Sequence, residues 1–285
     1  MSKILSFVDA SVYADSVCDH TAWVATRLQA DAELVHVLGR RDTSATRQNL
    51  SGALNANARD LLLAELAASD EAAGKLAQKR GRLVLAAAKE RLAELGLENV
   101  ATRLRFGDLV ETMQELESDA DLIVIGKRGE AADFAKLHLG SNIERVVRAS
   151  TKPVLVTSRA FKPIEKVLIA YDGGDSIERA VSYISKTHAS FGALKLQLLR
   201  AGDENGPENA RLEEATTRLR AAGYNAEARV VSGQPEAVIS DAVKDGDFNL
   251  LIMGAYGHSR IRTLIIGSTT TEMVRSCKIP ILLFR

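Results

Sequence analysis

The feature that most constrains this chain is a pattern it carries twice. Near its end an apolar run, Leu250-Leu251-Ile252-Met253, stops at Gly254. Gly254-Ala255-Tyr256-Gly257 is then followed by nine residues, His258 to Ile266, and by Gly267-Ser268-Thr269-Thr270. A helix-like segment, the pair Ile279-Pro280 and a last apolar run, Ile281-Leu282-Leu283-Phe284, close the chain. Upstream the parts recur in order: Asp121-Leu122-Ile123-Val124-Ile125, Gly126-Lys127-Arg128-Gly129, ten residues, then Gly140-Ser141. A helical segment through Glu144, Val147 and Arg148 follows, then Lys152-Pro153 and Val154-Leu155-Val156. Short apolar runs bounded by Gly or Pro read as buried parallel strands. Glycine at such a strand end lets backbone approach a ligand where a Cβ would collide. The Gly-Ser-Thr that opens the next helix offers hydroxyls for capping, and its N–H groups and dipole suit a phosphate. A lone glycine pattern says little; two ordered copies with matching flanks are a repeat.

The repeat extends over the whole chain. Lys166-Val167-Leu168-Ile169-Ala170-Tyr171-Asp172 mirrors Lys3 to Asp9. In the first half, strands are expected at Ile4–Val8, Glu33–Leu38, Val100–Phe106, Leu122–Ile125 and Val154–Val156. Helices are expected after the first strand, over Leu83–Leu95 with Gly96 as its stop, and over Leu109–Leu116. The second half repeats this with helices over Ile177–His188, Arg211–Ala222 and Glu236–Val243, and strands over Leu194–Leu199 and Ala226–Val231. From Asp9 to Gly126 is 117 residues, and from Asp172 to Gly254 it is 82. The excess falls at Gly39–Gly81, a polar, Asn- and Ala-rich insertion with a helical block near Leu61-Leu62-Leu63 and Leu66, and a mobile stretch is expected at Thr43–Asn57. Strands alternating with helices predict an α/β fold of two tandem doubly wound, Rossmann-like domains, each a five-stranded parallel sheet. The expected domains are 1–158 and 165–285, joined through Ser158–Ile164.

Composition narrows the function. Lys+Arg and Asp+Glu both number 37, so a nucleic-acid protein working through bulk charge is not expected. Cys18 and Cys277 form neither a disulfide framework nor a metal motif, and read as small buried residues of a reducing compartment. No apolar run is long enough for a membrane span, so a cytoplasmic protein is expected. The five histidines lack ligand spacing, and Trp23, the single tryptophan, reads as core.

The pattern Gly-x-x-Gly-x9-Gly-Ser/Thr after the fourth strand, with Asp after the first, resembles the universal stress protein family over the whole chain, as two tandem copies. The resemblance implies strand order 3-2-1-4-5 and, as in many members, ATP binding, with Mg2+ as a companion ion. Carried over by position, Gly254, Gly257, Gly267 and Ser268, with Thr269 beside them, would hold phosphates and ribose. Asp172 would lie near the nucleotide, and Leu199 would meet adenine through its backbone. His258, Arg260 and Arg262 add partners suited to phosphate. The matching first-half positions are Asp9, Val37, Gly126, Gly129, Gly140 and Ser141. That half departs by one spacer residue and places Glu130 and Asp133 near the phosphates, where like charge opposes binding unless a metal ion, Lys127 or Arg128 offsets it.

Asp172-Gly173-Gly174-Asp175-Ser176 is similar to the Ser-Gly-Gly-x-Asp-Ser loop of ATP pyrophosphatases but lacks its opening Ser; Asp175-Ser176 reads instead as the cap of the next helix. No Walker lysine follows Gly267, so ATP hydrolysis is expected to be weak at most. The expected function is a stress-response sensor that binds an adenine nucleotide mainly in its second half and works through a protein partner. The family resemblance also implies an intrachain pseudo-dimer and homodimer formation. Two alternatives stand. One is a nucleotide-free scaffold whose halves pair through Val154–Val156 and Ile281–Phe284; the other is a slow ATP hydrolase or adenylyl-transfer enzyme dependent on Asp172.

Overall fold

Two five-stranded sheets are expected; the computed structural model shows one continuous sheet of ten strands. It describes residues 2–39, 56–129, 141–255 and 267–285. The first-half strands are β1 (Lys3–Phe7), β2 (Asp31–Leu38), β3 (Val100–Phe106), β4 (Leu122–Gly126) and β5 (Val154–Thr157). Those of the second are β6 (Lys166–Ala170), β7 (Lys195–Ala201), β8 (Asn225–Val231), β9 (Leu250–Gly254) and β10 (Ile281–Phe284). Their order is β3-β2-β1-β4-β5-β10-β9-β6-β7-β8. Each half is parallel in the expected order 3-2-1-4-5, and the halves meet where β5 and β10 run antiparallel, with Leu155 opposite Leu282. Every residue of both seam strands is buried. With β5 and β10 paired to each other, neither half leaves its last strand as an open edge.

Helices cover both faces: α1 (Ala14–Leu28), α2 (Ala56–Glu94), α3 (Leu109–Leu116) and α4 (Ser141–Ala149) in the first half. The second half carries α5 (Asp175–Lys186), α6 (His188–Phe191), α7 (Asn209–Ala221), α8 (Pro235–Asp245) and α9 (Ser268–Ser276). One layer of the core gathers under α1, α2, α5 and α7, the other under α3, α4, α8 and α9. Trp23 is not plain core. It is half-buried on α1 at the seam, its ring 5.4 Å from that of Phe191 on α6 and 4.7 Å from the Arg27 guanidinium. Both cysteines are buried.

The insertion is a correction. Its helical block and the Leu83–Leu95 helix are one continuous helix, α2, of 39 residues against 13 in its counterpart α7. Gly81 lies within it because the helix touches the sheet there: a Cβ would stand 2.7 Å from Leu104 and 2.9 Å from His36. Gly96, with φ of +84°, ends the helix as expected, its N–H donating to Ala93 and that of Leu97 to Leu92. Thr43–Asn57, the expected mobile stretch, lies outside the described residues except for its last two positions, which open α2. No helix among the described residues is long and apolar enough to cross a membrane.

Candidate functional site

In the second half β6 lies between β7 and β9, with Ala170 opposite Met253. The chain leaves β6 on one side and returns to β9 on the other, and such a reversal opens a crevice at the carboxyl ends of the strands. Asp172 follows β6 and Gly254 ends β9. The Asp172 Oδ1 accepts the Gly174 N–H at 2.9 Å, folding the loop back toward α5, and Gly173 between them has φ of +73°, a conformation that favours glycine. Asp175 and Ser176 do not cap α5. Gly174 is its N-cap and Asp175 its first residue, where a carboxylate still complements the helix dipole.

The start of α9 corrects a second expectation. Gly267 is the N-cap, with no side-chain cap, and its N–H donates to the Ala255 carbonyl at 3.3 Å. The hydroxyls expected to cap the helix have other partners. Thr269 Oγ1 donates to Glu236 Oε1 at 2.7 Å, and Thr270 Oγ1 to the Gly254 carbonyl at 2.9 Å. The second bond pins the helix start to the strand end. The first brings a carboxylate to the end of the helix that would face phosphate. The Thr269 hydroxyl, then Glu236's own N–H and Ser268, hold the Glu236 carboxyl below the usual glutamate range. Nothing in a residue-by-residue reading singles out Glu236. Its position in the first turn of a helix opened by Gly233-Gln234-Pro235 is the one local signal.

The end of the second strand in this half lies two residues beyond the expected Leu199. Leu199 is not a strand end: β7 runs on to Ala201, and the Leu199 carbonyl accepts the Tyr171 N–H at 2.9 Å. In the first half the same bond joins Val8 N–H to the Val35 carbonyl at 3.0 Å. Leu199 is therefore the counterpart of Val35, and the counterpart of Val37 is Ala201. Alternate residues of a strand turn their backbone groups to the same neighbour, so Ala201 faces the space beyond the end of β6. Gly257, His258, Arg260 and Arg262 lie outside the described residues.

In the first half the corresponding loop makes the same aspartate-to-backbone bond but has different neighbours. Asp9 Oδ1 accepts the Ser11 N–H at 3.1 Å. A Cβ on Gly126 would stand 2.9 Å from the Cβ of Tyr13, itself buried, and one on Gly129 would stand 3.0 Å from Asp9 Oδ2. Lys127, expected to offset charge near phosphates, instead crosses the seam and donates to the Cys277 carbonyl at 2.6 Å. Burial pushes its ammonium pKa down. Val37 stands near the end of β2, and Ser141 is the first residue of α4. Gly140, Glu130 and Asp133 lie outside the described residues.

A model of the universal stress protein family matches residues 1–158 and 163–285. A universal stress protein of Synechocystis is 37% identical over 288 residues, with 100% of both chains covered. A crystal structure of a universal stress protein from Archaeoglobus fulgidus superposes with a TM-score of 0.70 at 20% identity, covering 99% of this chain and 98% of that one. A universal stress protein solved in complex with cAMP is 30% identical and covers 44% of this chain and 98% of its own, with a TM-score of 0.37.

Proposed function

This chain belongs to the universal stress protein family, and from that premise we propose that its second half binds ATP or a related adenine nucleotide in the crevice between β6 and β9. The observation that carries the reading is convergence: Asp172, the backbone of Ala201, Gly254 and the start of α9 all border one reversal point of the sheet. Asp172 and Ala201 would face the nucleoside. Gly254, Gly267, Ser268 and Thr269 would face the phosphates, with the unpaired N–H groups of the first turn of α9 as donors. Gly257, His258 and Arg260 complete the phosphate side in this reading, and Mg2+ would accompany the triphosphate.

In the first half Tyr13 and Lys127 answer for residues that would otherwise point to a ligand, so we assign that half the role of structural partner. Nucleotide occupancy would then bias a surface read by another protein in the cytoplasm, which makes the chain a stress-responsive regulator. The test is mass spectrometry of nucleotide released from freshly purified protein, beside Gly254→Val. One equivalent, lost in the variant, is expected. Two equivalents would give the first half a site of its own. None, even after incubation with millimolar ATP and Mg2+, would sink the nucleotide reading.

A second reading, a scaffold that engages its partner through α2, draws on exposed apolar side chains of that helix, Leu76 and Leu83 above all. It predicts partner capture that survives Gly254→Val and is lost when both leucines become serine.

A further inference from the structure

We propose that Lys127, from the first half, is a positioning residue for the second-half nucleotide site, acting through α9; this deepens the reading above and rests on it. The structure supplies the linkage in three parts. The helix α9 is nine residues long, about 13 Å, and short enough to move as one body. Its N-terminal end is tied to the crevice through Thr270 and the Gly254 carbonyl. Its C-terminal end is tied to the other half, because the Lys127 Nζ donates to the carbonyl of its C-cap residue, Cys277. A cation there satisfies a carbonyl the helix cannot use and complements its dipole, and partial burial strengthens both effects.

The loop that holds Lys127 is itself wedged in place. Gly126 lies so close to the Cβ of Tyr13 that it has no room for a Cβ of its own, and Gly129 lies against the Asp9 carboxylate. The contact therefore runs from the first half's loop, through a half-buried ammonium, to the far end of the helix whose near end would meet phosphate. The loops do not do this for each other. The residue after Gly254 is Ala255, whose side chain has no donor to send back. A return tether comes instead from the last residue: Arg285 Nη1 donates to the Arg148 carbonyl at 2.9 Å and lies 3.5 Å from that of Ser150, at the C-terminal end of α4. Each half thus caps the other's helix, and of these two caps it is the one from Lys127 that sits on the helix of the proposed site.

That asymmetry supplies the control. In the full-length protein, Lys127→Met is expected to weaken ATP binding about 3- to 10-fold, a loss of the size a partly buried helix-end cation produces. Lys127→Arg is expected to recover most of it. Arg285→Met removes a cap of the same kind from α4 and should lower the melting temperature comparably, while ATP affinity stays within about twofold of the wild type. Unchanged affinity in Lys127→Met would overturn the proposal, as would an equal loss in Arg285→Met, which would mean general loosening of the seam. Hydrogen exchange gives a readout that needs no nucleotide. Lys127→Met should speed exchange in α9 and spare α4, and Arg285→Met the reverse. If the wild type binds no ATP, the nucleotide reading fails; α9 exchange that is fast in both variants or in neither then sinks the role of Lys127 as well.

Discussion

The two halves carry the same glycine pattern after β4 and β9, but they surround it with different side chains. Four residues after the loop aspartate the first half has Tyr13 and the second has Ser176. Tyr13 is large, buried and pressed against Gly126, so the glycine there is needed by the chain's own packing. The second half also sets hydroxyls, at Thr269 and Thr270, between its helix start and neighbouring polar groups. The lesson concerns what a glycine pattern means. It marks a place where backbone must come close to something, and the neighbouring side chains decide whether that something is a ligand or the protein itself.

The halves differ one strand away as well, and there the largest stability effect is expected. Glu33 on β2 is 2% exposed and paired with Lys3 and Arg103, whereas the residue at its position in the second half, opposite Leu168 on β6, is the neutral Gln197. Burial alone would raise the Glu33 pKa, but hydrogen bonds from Lys3 and Arg103, with their charges, carry it below the usual glutamate value. A carboxyl depressed in the folded state stabilises fully above its unfolded value, near 4.5, and its contribution is lost as pH falls through the lower folded value. Glu33→Gln should cost about 2–3 kcal/mol in urea unfolding at neutral pH, less than for a fully buried pair because both cations reach water. It should also flatten the acid limb of stability below pH 4.5. An unchanged acid limb would show that Glu33 does not distinguish the halves.

The next effect tests the loops directly. Gly126→Val places a branched side chain against Tyr13 and should destabilise the protein by about 1–3 kcal/mol, as overpacking does. Bound nucleotide should stay at one equivalent. A full loss of nucleotide from a folded Gly126→Val protein, beyond the about 3- to 10-fold weakening that displacing Lys127 would cause, would show that the first-half loop is a binding element after all.

How much of this was legible in the sequence follows from the range of each interaction. Gly96 reads correctly as a helix stop because the left-handed turn it makes is local. The alternation of strands and helices in each half is likewise carried by period and repeat, whereas the strand order comes only through the family resemblance. Gly81 looks like a breaker and is not one, since only the folded sheet shows Leu104 and His36 beneath it. Leu199 falls two residues short because Arg200 masks the apolar end of β7, and only the ladder register restores Ala201. Lys127 and Cys277 are 150 residues apart, and Thr269 and Glu236 are 33 apart. No spacing rule pairs such residues, so the polar contacts that make the halves unlike each other stayed hidden.

The Glu236 contact gives the smallest effect and the sharpest distinction. Three residues after the glycine that follows each half's third strand, the first half has Val110 and the second has Glu236. A carboxylate that accepts from Thr269 occupies the acceptor role a phosphate oxygen would take, and it repels the phosphate that would replace it. Glu236→Gln keeps the size and a hydrogen-bond acceptor but removes the charge. ATP affinity should therefore rise about tenfold, as expected from lifting one like charge at close range near the surface. The gain should shrink from ATP to ADP to AMP, since repulsion scales with the charge brought near. Calorimetric titration of the three nucleotides separates the possibilities. An equal gain for all three would place Glu236 nearer the nucleoside than the phosphates. A loss of affinity would mean that the carboxylate helps binding, as the ligand of a metal ion carried in with the nucleotide would, and the contrast between the two halves would then be one of recruited metal instead of excluded charge.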